Sequence, residues 1–335
     1  MTARSHSDRF GTESPITLQA HILQQQAAHP HASGTFSWIL SALSISAKVI
    51  AARVRRARLE DVLGGAGSDN VQGEQQQKLD VIANEVLLQM LRGREGVAIV
   101  ASEENEEPVL LRTGAEGEHR YCVLFDPLDG SSNLDVCGSV GTIFSILRHD
   151  RTRRPEDSLL QAGHQQVAAG YVLYGSSTVF VLSIGAGVDM FVLDPAIGAF
   201  VRVAEGLRIP ESGRSYAVNE GNRRSFPEGF QRYLDWAQSH GYSSRYVGAM
   251  VADAHRILLK GGVFLYPPTL KDPAGKLRLL YEANPIGMLI EQAGGKAFAT
   301  ADSPILGVQP TAIHQRTPVI LGSPREVDHV LTHLR

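Results

Sequence analysis

Phe125-Asp-Pro-Leu-Asp-Gly-Ser-Ser-Asn133 continues an apolar run that begins at Tyr121. The apolar run predicts a buried strand, and Pro127 prevents the strand ladder from continuing, so the chain is expected to turn there. Asp126 and Asp129 can then converge on one point beyond the strand end. Two close carboxylates repel each other unless a cation neutralises them, and Mg²⁺ prefers oxygen ligands of this kind. The segment therefore predicts a divalent-metal site.

The next three residues, Gly130-Ser131-Ser132, are suited to holding an anion. Glycine lets an anion approach the backbone, and consecutive N–H groups at a turn or helix start can cradle a phosphate. Metal-binding carboxylates followed at once by such a cradle are typical of phosphoryl-transfer sites. The alternative is an ordinary turn of the Asp-Pro-x-Asp-Gly type, in which the side chains only satisfy the local backbone.

A second apolar run, residues 97–102, leads directly into Glu103 and Glu104. Ligands commonly collect at the carboxyl ends of parallel strands, so we expect these acids to join the same site. The alternative is a charged surface loop, since residues 103–107 contain four glutamates. Glu282 lies in an apolar helix start, where a buried acid needs a partner or a metal.

Asp80 lies in a similar apolar setting and Glu74 precedes it by six residues. The simpler explanation for either residue is an acid at a helix N-terminus. The sequence contains no G-x-S-x-G elbow, no P-loop and no G-x-G-x-x-G motif. Hydrolysis driven by carboxylates and metals is therefore favoured over covalent catalysis.

Composition excludes several classes of protein. The chain has 335 residues, 43% of them hydrophobic and 20% charged, and a net charge of -3, so neither nucleic acid nor a membrane is expected as a partner. Cys122 and Cys137 form no CxxC pair, which argues against a thiolate zinc site or a disulfide framework. Without a continuous apolar signal-like run, we expect a cytoplasmic protein.

Helical and strand patterns alternate in both halves of the chain. Residues 37–63, 76–92, 225–240 and 279–293 show helical spacing, whereas 140–148, 167–174, 177–184, 188–193 and 263–266 predict strands. The fold class expected is α/β (α+β). We predict a disordered tail at 1–14, an N-terminal domain at 15–204 and a C-terminal domain at 205–335.

The motif at 126–133 resembles that of the Li⁺-sensitive, Mg²⁺-dependent phosphatase superfamily. The runs Ala169-Gly-Tyr-Val-Leu-Tyr-Gly175, Asn219-Glu-Gly221, Arg245-Tyr-Val-Gly248 and Gly275-Lys-Leu-Arg-Leu-Leu-Tyr-Glu282 are similar to class I fructose-1,6-bisphosphatases over residues 16–335. The resemblance implies a layered αβαβα fold, a homotetramer, and hydrolysis of D-fructose 1,6-bisphosphate to fructose 6-phosphate in gluconeogenesis or a Calvin-type cycle.

The resemblance also implies residue roles. It implies Mg²⁺ as cofactor, with Mn²⁺ or Zn²⁺ as substitutes, and the expected ligands are Glu103, Glu104, Asp126, the Leu128 carbonyl, Asp129 and Glu282. Asp80 and Glu104 are expected to act on the attacking water, and Glu74 lies on a loop that closes over the site. The expected substrate-binding residues are Gly130, Ser131, Ser132, Asn219, Arg245 (reaching a neighbouring subunit), Tyr246, Met250, Tyr266, Lys276 and Arg278. A partly matched AMP site comprises Ser37, Arg120, Tyr121 and Arg148.

Two departures from the family pattern bear on specificity and regulation. Asn222 stands where the family often has a tyrosine at a 6-phosphate contact, and Thr35 stands where an acid is common in the AMP site. AMP inhibition therefore stays open. Activity on sedoheptulose 1,7-bisphosphate is the nearest alternative, because one extra hydroxymethylene is poorly discriminated. A non-catalytic sugar-phosphate regulator is disfavoured, since it has no need of the full set of acids.

Overall fold

The structure is a computed structural model that describes residues 15–28, 34–60, 63–69, 75–112, 121–150, 152 and 154–335. The predicted tail at 1–14 lies outside these residues. In the described part, the α-helices are α1 (Leu18–Ala28), α2 (Gly34–Arg56), α3 (Lys78–Arg92), α4 (Glu228–Ser239), α5 (Met250–Lys260), α6 (Asn284–Gln292) and α7 (Pro324–Leu334).

The strands fall into two groups along the chain. Those of the first part are β1 (Gly65–Asp69), β2 (Gln75–Gln77), β3 (Val97–Ser102), β4 (Val109–Leu110), β5 (Tyr121–Asp129), β6 (Val140–Arg148), β7 (Ala168–Tyr174), β8 (Thr178–Ser183), β9 (Asp189–Asp194) and β10 (Ala199–Ala204). Those of the second part are β11 (Ser215–Ala217), β12 (Ser243–Ser244), β13 (Val263–Tyr266), β14 (Leu277–Arg278), β15 (Lys296–Thr300), β16 (Ser303–Pro304), β17 (Arg316–Thr317) and β18 (Val319–Gly322).

Two large sheets organise the fold. The first has the order β10-β9-β8-β7-β6-β5-β3-β4, and the second has the order β12-β11-β13-β18-β15-β16. In the first sheet β3 and β5 are parallel, whereas β5 through β10 are successively antiparallel. Every residue of β3 and β5 is buried, which explains their near-continuous apolar sequences.

Helices cover both faces of both sheets. The buried faces of α1, α2 and α3 pack on one face of the first sheet, α5 and α6 lie between the two sheets, and α4 and α7 cover the far face of the second sheet. The order of layers is helix, sheet, helix, sheet, helix, so the predicted αβαβα architecture is confirmed.

Helix α2 is the one described helix that is long and apolar enough to cross a membrane, by length and composition. Half of its most apolar window is buried inside the fold, where Ile39, Leu43, Ala47 and Ile50 contact the first core. A core helix passes the same test of length and composition, and the apolar face of α2 is such a core face.

The longer predicted helices and strands agree with the structure, with several differences. The helix predicted at 37–63 begins at Gly34 and already ends at Arg56. The helix predicted at 279–293 begins as a π-helix, Leu279–Ala283, before α6. Strand β10 was not predicted, because only one of its residues is fully buried. The strands of five residues or fewer that were not predicted, which are β1, β2, β4, β11, β12, β14, β15 and β16, are too short to give a clear period. The stretch predicted as a loop at 150–166 contains two short 3-10 turns, Glu156–Leu159 and Gly163–Gln165.

Gly170 lies in β7, between the neighbouring strands β6 and β8 of the first sheet. A Cβ added there would lie 2.4 Å from the Phe144 ring and 2.6 Å from the Val181 carbonyl oxygen. We expect Gly170→Ala to lower the free energy of unfolding by about 1–3 kcal/mol through overpacking, measured as a lower apparent melting temperature by circular dichroism. Gly307→Ala is the matched control, since its Cβ would meet nothing within 4 Å; equal effects of the two variants would contradict the packing argument.

Candidate active site

The carboxyl end of β5 carries the first two acids. Asp126 is buried, and its Oδ1 accepts a hydrogen bond of 2.9 Å from the Leu128 N–H. The Thr142 hydroxyl donates to the Pro127 carbonyl at 2.8 Å, which ties this segment to β6. The turn predicted at Pro127 is wrong, because β5 continues through Pro127 to Asp129. The pairing with β6 shifts register between Asp126 and Asp129, and this bulge lets the two acids converge.

Asp129 joins the first sheet to helix α5. Its Oδ2 accepts a 2.7 Å hydrogen bond from the Val251 N–H, and the Met250 N–H also donates to this carboxylate. The helix's own N-cap residue, Ala249, has no side-chain acceptor, so an acid from a distant strand end serves the helix N-terminus instead.

Glu282 approaches from the π-helix Leu279–Ala283. It is buried, and its Oε2 accepts the Arg278 N–H at 2.5 Å. Carboxylate oxygens of Asp126, Asp129 and Glu282 all lie within 4.8 Å of one another. Three acids from two separate parts of the chain therefore converge, as the sequence analysis predicted.

Burial and mutual repulsion change the acidity of this cluster. Burial, followed by the charges of Glu103 and neighbouring carboxylates, raises the pKa of Asp126 and of Glu282 well above the usual range. Burial raises the pKa of Asp129 to about 7 in spite of its two amide bonds. Without a cation, the folded protein therefore holds extra protons here near neutral pH.

Glu103 and Glu104 follow the end of β3, beside the end of β5. The Glu103 N–H donates to the Phe125 carbonyl at 3.1 Å, extending the parallel pairing of these strands. The Glu103 Oε1 lies 3.1 Å from the Arg278 guanidinium, whose side chain is 2% exposed. One buried cation thus offsets part of the negative charge, and Glu104 lies half-buried at the rim.

Asp80 faces the cluster from the first turn of α3. Its Oδ2 accepts the Gln77 N–H at 2.8 Å, and the Ser131 hydroxyl also bonds to it. Burial raises the pKa of Asp80 to about 7. This acid can therefore hold or release a proton near neutral pH.

Gly130 begins the anion cradle predicted after β5. Its φ of 75° is left-handed, and an added Cβ would lie 2.3 Å from the Ala249 Cβ, so only glycine fits this close approach. The 3-10 helix Ser131–Val136 follows at once. The first N–H groups of a helix have no acceptor within the helix, which leaves those of Ser131 and Ser132 oriented for an anion.

These groups surround one cavity of about 440 Å³. Its wall includes most of the predicted site residues: Asp80, Glu103, Glu104, Asp126, Leu128, Asp129, Gly130, Ser131, Ser132, Tyr246, Met250, Tyr266, Lys276, Arg278 and Glu282. Tyr246 and Tyr266 share a hydrogen bond through their hydroxyl groups. Exposed Lys276 adds a positive charge to the same wall.

Some predicted residues lie elsewhere. Asn219 and Arg245 are exposed and are not part of the described cavity wall; the Asn219 side chain instead accepts the Gly221 N–H at 3.1 Å. Glu74 and Arg120 fall outside the described residues.

The remaining residues of the predicted AMP site lie near one another. Tyr121 pairs with Arg148 across β5 and β6, and the Arg148 guanidinium lies 5.8 Å from the Tyr121 ring centre. Phe36, next to Ser37 on α2, contacts the same ring at 5.7 Å. The Ser37 hydroxyl donates to Gln26 of α1 at 2.6 Å.

The cavity wall also contains residues that the sequence analysis did not single out: Gln77, Gly248, Asp253, Phe264 and Leu277. Asp253 is fully buried. Its only sequence signal is an acid in the first turn of a helix, which is too common to indicate a site. Gln77 immediately precedes α3, so its place follows from that of Asp80.

The donor set fits a hard divalent cation. Asp126, Asp129 and Glu282 offer converging carboxylate oxygens, and Mg²⁺ takes such ligands and completes its shell with phosphate and water. Among the described residues no histidine or cysteine joins this cluster, which favours a hard cation over a soft one.

Comparisons with known proteins agree with this geometry. Residues 16–205 match the family described as "Fructose-1-6-bisphosphatase, N-terminal domain", and residues 209–335 match "Fructose-1-6-bisphosphatase, C-terminal domain". The chain is 50% identical over 320 residues to "Fructose-1,6-bisphosphatase class 1" of Persephonella marina, covering 95% of this chain and 98% of that protein.

Solved structures are similar over nearly the whole chain. The holo form of Leishmania major fructose-1,6-bisphosphatase superposes with a TM-score of 0.90 at 40% identity, covering 96% of this chain and 99% of that one. The T-state of the same protein, with the same identity and coverage, gives a TM-score of 0.86. The fold, the carboxylate site and these matches together confirm the family predicted from the sequence: the chain belongs to the class 1 fructose-1,6-bisphosphatases.

Proposed function

We propose that this protein hydrolyses D-fructose 1,6-bisphosphate to D-fructose 6-phosphate and phosphate. The observation that carries the proposal is the convergence of three buried carboxylates within 4.8 Å, beside an anion cradle in a cavity of about 440 Å³. Such a cluster is unfavourable by itself and becomes favourable with cations and a phosphate ester. The family's shared activity supports the same substrate.

Mg²⁺ is the proposed cofactor, with Mn²⁺ or Zn²⁺ as substitutes. Glu103, Glu104, Asp126, Asp129 and Glu282 would hold it, together with the Leu128 carbonyl. When bound, the metal neutralises negative charge on the phosphoryl group and lowers the pKa of coordinated water. The Arg278 guanidinium lies 3.1 Å from the Glu103 carboxylate. Arg278 therefore orients an acid of the site and also lines the cavity.

The other predicted residues either act on the attacking water or bind one of the two phosphates of the substrate. Asp80 and Glu104 act on the attacking water, and Glu74 is proposed for the loop that closes over the site. Gly130, Ser131 and Ser132 hold the 1-phosphate through their N–H groups. The sugar and the 6-phosphate are proposed to contact Tyr246, Tyr266, Lys276, Met250, Asn219 and a neighbouring subunit's Arg245.

The proposal also covers assembly, regulation and cellular setting. We propose a homotetramer, in which exposed Arg245 reaches the substrate site of a neighbouring subunit. Ser37, Tyr121 and Arg148 are proposed to supply polar and basic groups for binding AMP. We propose a division into domains at 15–204 and 205–335, in which the first carries Asp126 and Asp129 and the second carries Glu282 and the 6-phosphate side. We place the enzyme in the cytoplasm, in gluconeogenesis or a Calvin-type cycle.

The direct test is phosphate release from fructose 1,6-bisphosphate and sedoheptulose 1,7-bisphosphate, each measured with Mg²⁺ and with EDTA. Metal-dependent release that favours the six-carbon substrate supports the proposal. Equal rates would make the enzyme bifunctional, which the loss of a tyrosine at Asn222 would explain. Absence of release from both substrates would overturn it.

The acidity of the carboxylate cluster predicts a dependence of stability on pH and metal. When the pKa of an acid is higher in the folded than in the unfolded protein, the free energy of unfolding falls as pH rises between the two values. For Asp129 this window runs from about 4 to about 7. We expect the metal-free protein to melt at a lower temperature at pH 8 than at pH 5, and Mg²⁺ to raise the melting temperature more at pH 8. Differential scanning fluorimetry measures both.

Asp126→Asn tests how much one acid contributes to this dependence of stability on pH and metal. Asparagine keeps the oxygen that accepts the Leu128 N–H but removes a buried charge. We expect the metal-free variant to melt higher than wild type at pH 8, to respond weakly to Mg²⁺, and to lose about a thousandfold in turnover, which is several kcal/mol. Exposed Asp302→Asn is the control. Wild-type turnover in Asp126→Asn would rule out the metal assignment.

Arg245→Ala tests the shared site. Removing a charged hydrogen bond to phosphate should raise KM for fructose 1,6-bisphosphate about 10- to 100-fold, with a smaller change in kcat. Arg325→Ala, at an exposed position on α7, should leave KM unchanged. If the KM of Arg245→Ala equals that of wild type, Arg245 does not contact the substrate in any subunit.

A further inference from the structure

The loop 245–249 carries Tyr246 and Arg245, yet it is exposed over much of its length. At its start the Arg245 N–H donates at 2.8 Å to the carbonyl of Tyr216, in strand β11. At its end Gly248 has a left-handed φ of 86°. Between these points the loop belongs to neither a strand nor a helix, so its conformation depends on side chains that hold its backbone.

Asp253, on the first turn of α5, supplies that anchor. Its Oδ1 accepts the Val247 N–H at 2.9 Å and its Oδ2 accepts the Gly248 N–H at 3.1 Å. The side chain is completely buried, so these bonds do not compete with water. Both carboxylate oxygens are thus engaged by consecutive amides of one loop, an arrangement that fixes the loop's orientation as well as its position.

The same helix turn is bound to the metal cluster. Asp129 accepts the Val251 N–H at 2.7 Å, and Asp253 is two residues further along the helix. The Asn133 side chain, from the end of the phosphate cradle, donates to the Val247 carbonyl at 3.4 Å. Loop, helix start and carboxylate cluster therefore form one connected unit, with Asp253 at its centre.

We propose that Asp253 is a positioning residue that sets the 6-phosphate side of the substrate site by holding the backbone of Val247 and Gly248. This rests on the proposed function, which assigns Tyr246 and Arg245 to that side. Asp253 does not touch the substrate or the reacting phosphoryl group. It acts through the loop, in the way that outer residues orient the groups that bind a ligand.

The direction of the change in KM distinguishes a positioning role of Asp253 from a purely electrostatic one. Asp253 places a negative group beside a pocket for a dianion, so a purely electrostatic role predicts tighter substrate binding when the charge is removed. Positioning predicts weaker binding, because asparagine keeps one acceptor and turns its NH₂ group towards an amide N–H. The two roles therefore give opposite changes in KM for one conservative substitution.

The test uses full-length Asp253→Asn with Mg²⁺, and Glu326→Gln as its matched control. Glu326 is also buried and also accepts a backbone N–H, that of Gly213 at 3.1 Å, but it lies on α7 behind the second sheet. We expect Asp253→Asn to raise KM for fructose 1,6-bisphosphate about tenfold, equivalent to about 1.4 kcal/mol, with kcat within about twofold. The preference for the bisphosphate over fructose 1-phosphate should fall by the same factor, and Glu326→Gln should change neither.

Amide hydrogen exchange gives a readout independent of turnover. We expect exchange at Val247 and Gly248 to rise at least about tenfold in Asp253→Asn and to stay at the wild-type rate in Glu326→Gln. Unchanged exchange, or a lower KM, overturns the inference; so does faster exchange with an unchanged KM. If the wild-type enzyme releases no phosphate, the proposed function fails and takes the substrate role with it, while the exchange rates still decide whether Asp253 anchors the loop.

Discussion

The repulsion among buried carboxylates is the interaction on which the rest of this structure depends. Asp126, Asp129 and Glu282 come from a strand end and a π-helix, and each is desolvated as the sheets and helices pack. Ionised acids at this spacing are unfavourable in the free protein. A bound cation and a phosphate ester would offset this repulsion. The free energy of unfolding and the chemistry therefore depend on the same carboxylate oxygens.

Arg278 and α5 show how the fold limits the cost. The buried guanidinium contacts Glu103, which lowers the net charge without closing the cavity. The N-terminus of α5 offers its amides to Asp129, so a helix dipole from the second part of the chain supports an acid of the first. The metal motif is therefore complete only when β5, the π-helix and α5 are packed together.

Much of this could be predicted because the relevant signals are local. Asp126 and Glu103 each follow an uninterrupted apolar run, and such runs predict buried strands whose ends meet at one edge. Glu282 is recognisable as an acid within an apolar helix start. The Glu103–Arg278 pair joins residues far apart in sequence, and no local pattern specifies it. Asp253 was missed for the same reason, since its partners depend on how a loop folds back over α5.

Partly exposed elements were also difficult to predict. Strand β10 has one fully buried residue, Phe200, so its alternation is too weak to distinguish it from a loop. The π-helix was not predicted because its composition is that of an ordinary α-helix; the wider turn becomes visible only from the backbone.

That π-helix has a consequence for how the chain tolerates changes in length. Its wider turn accommodates one more residue than an α-turn at Leu279–Ala283. Deleting one residue there would let the segment relax to regular α-helical winding and leave the buried face of α6 in place. The residues before the deletion would instead rotate by about 100° about the helix axis, carrying the Arg278 backbone away from Glu282. A change in length in this stretch therefore disturbs both the contact between Glu282 and the Arg278 N–H and the buried side chains of Leu279, Leu280 and Tyr281.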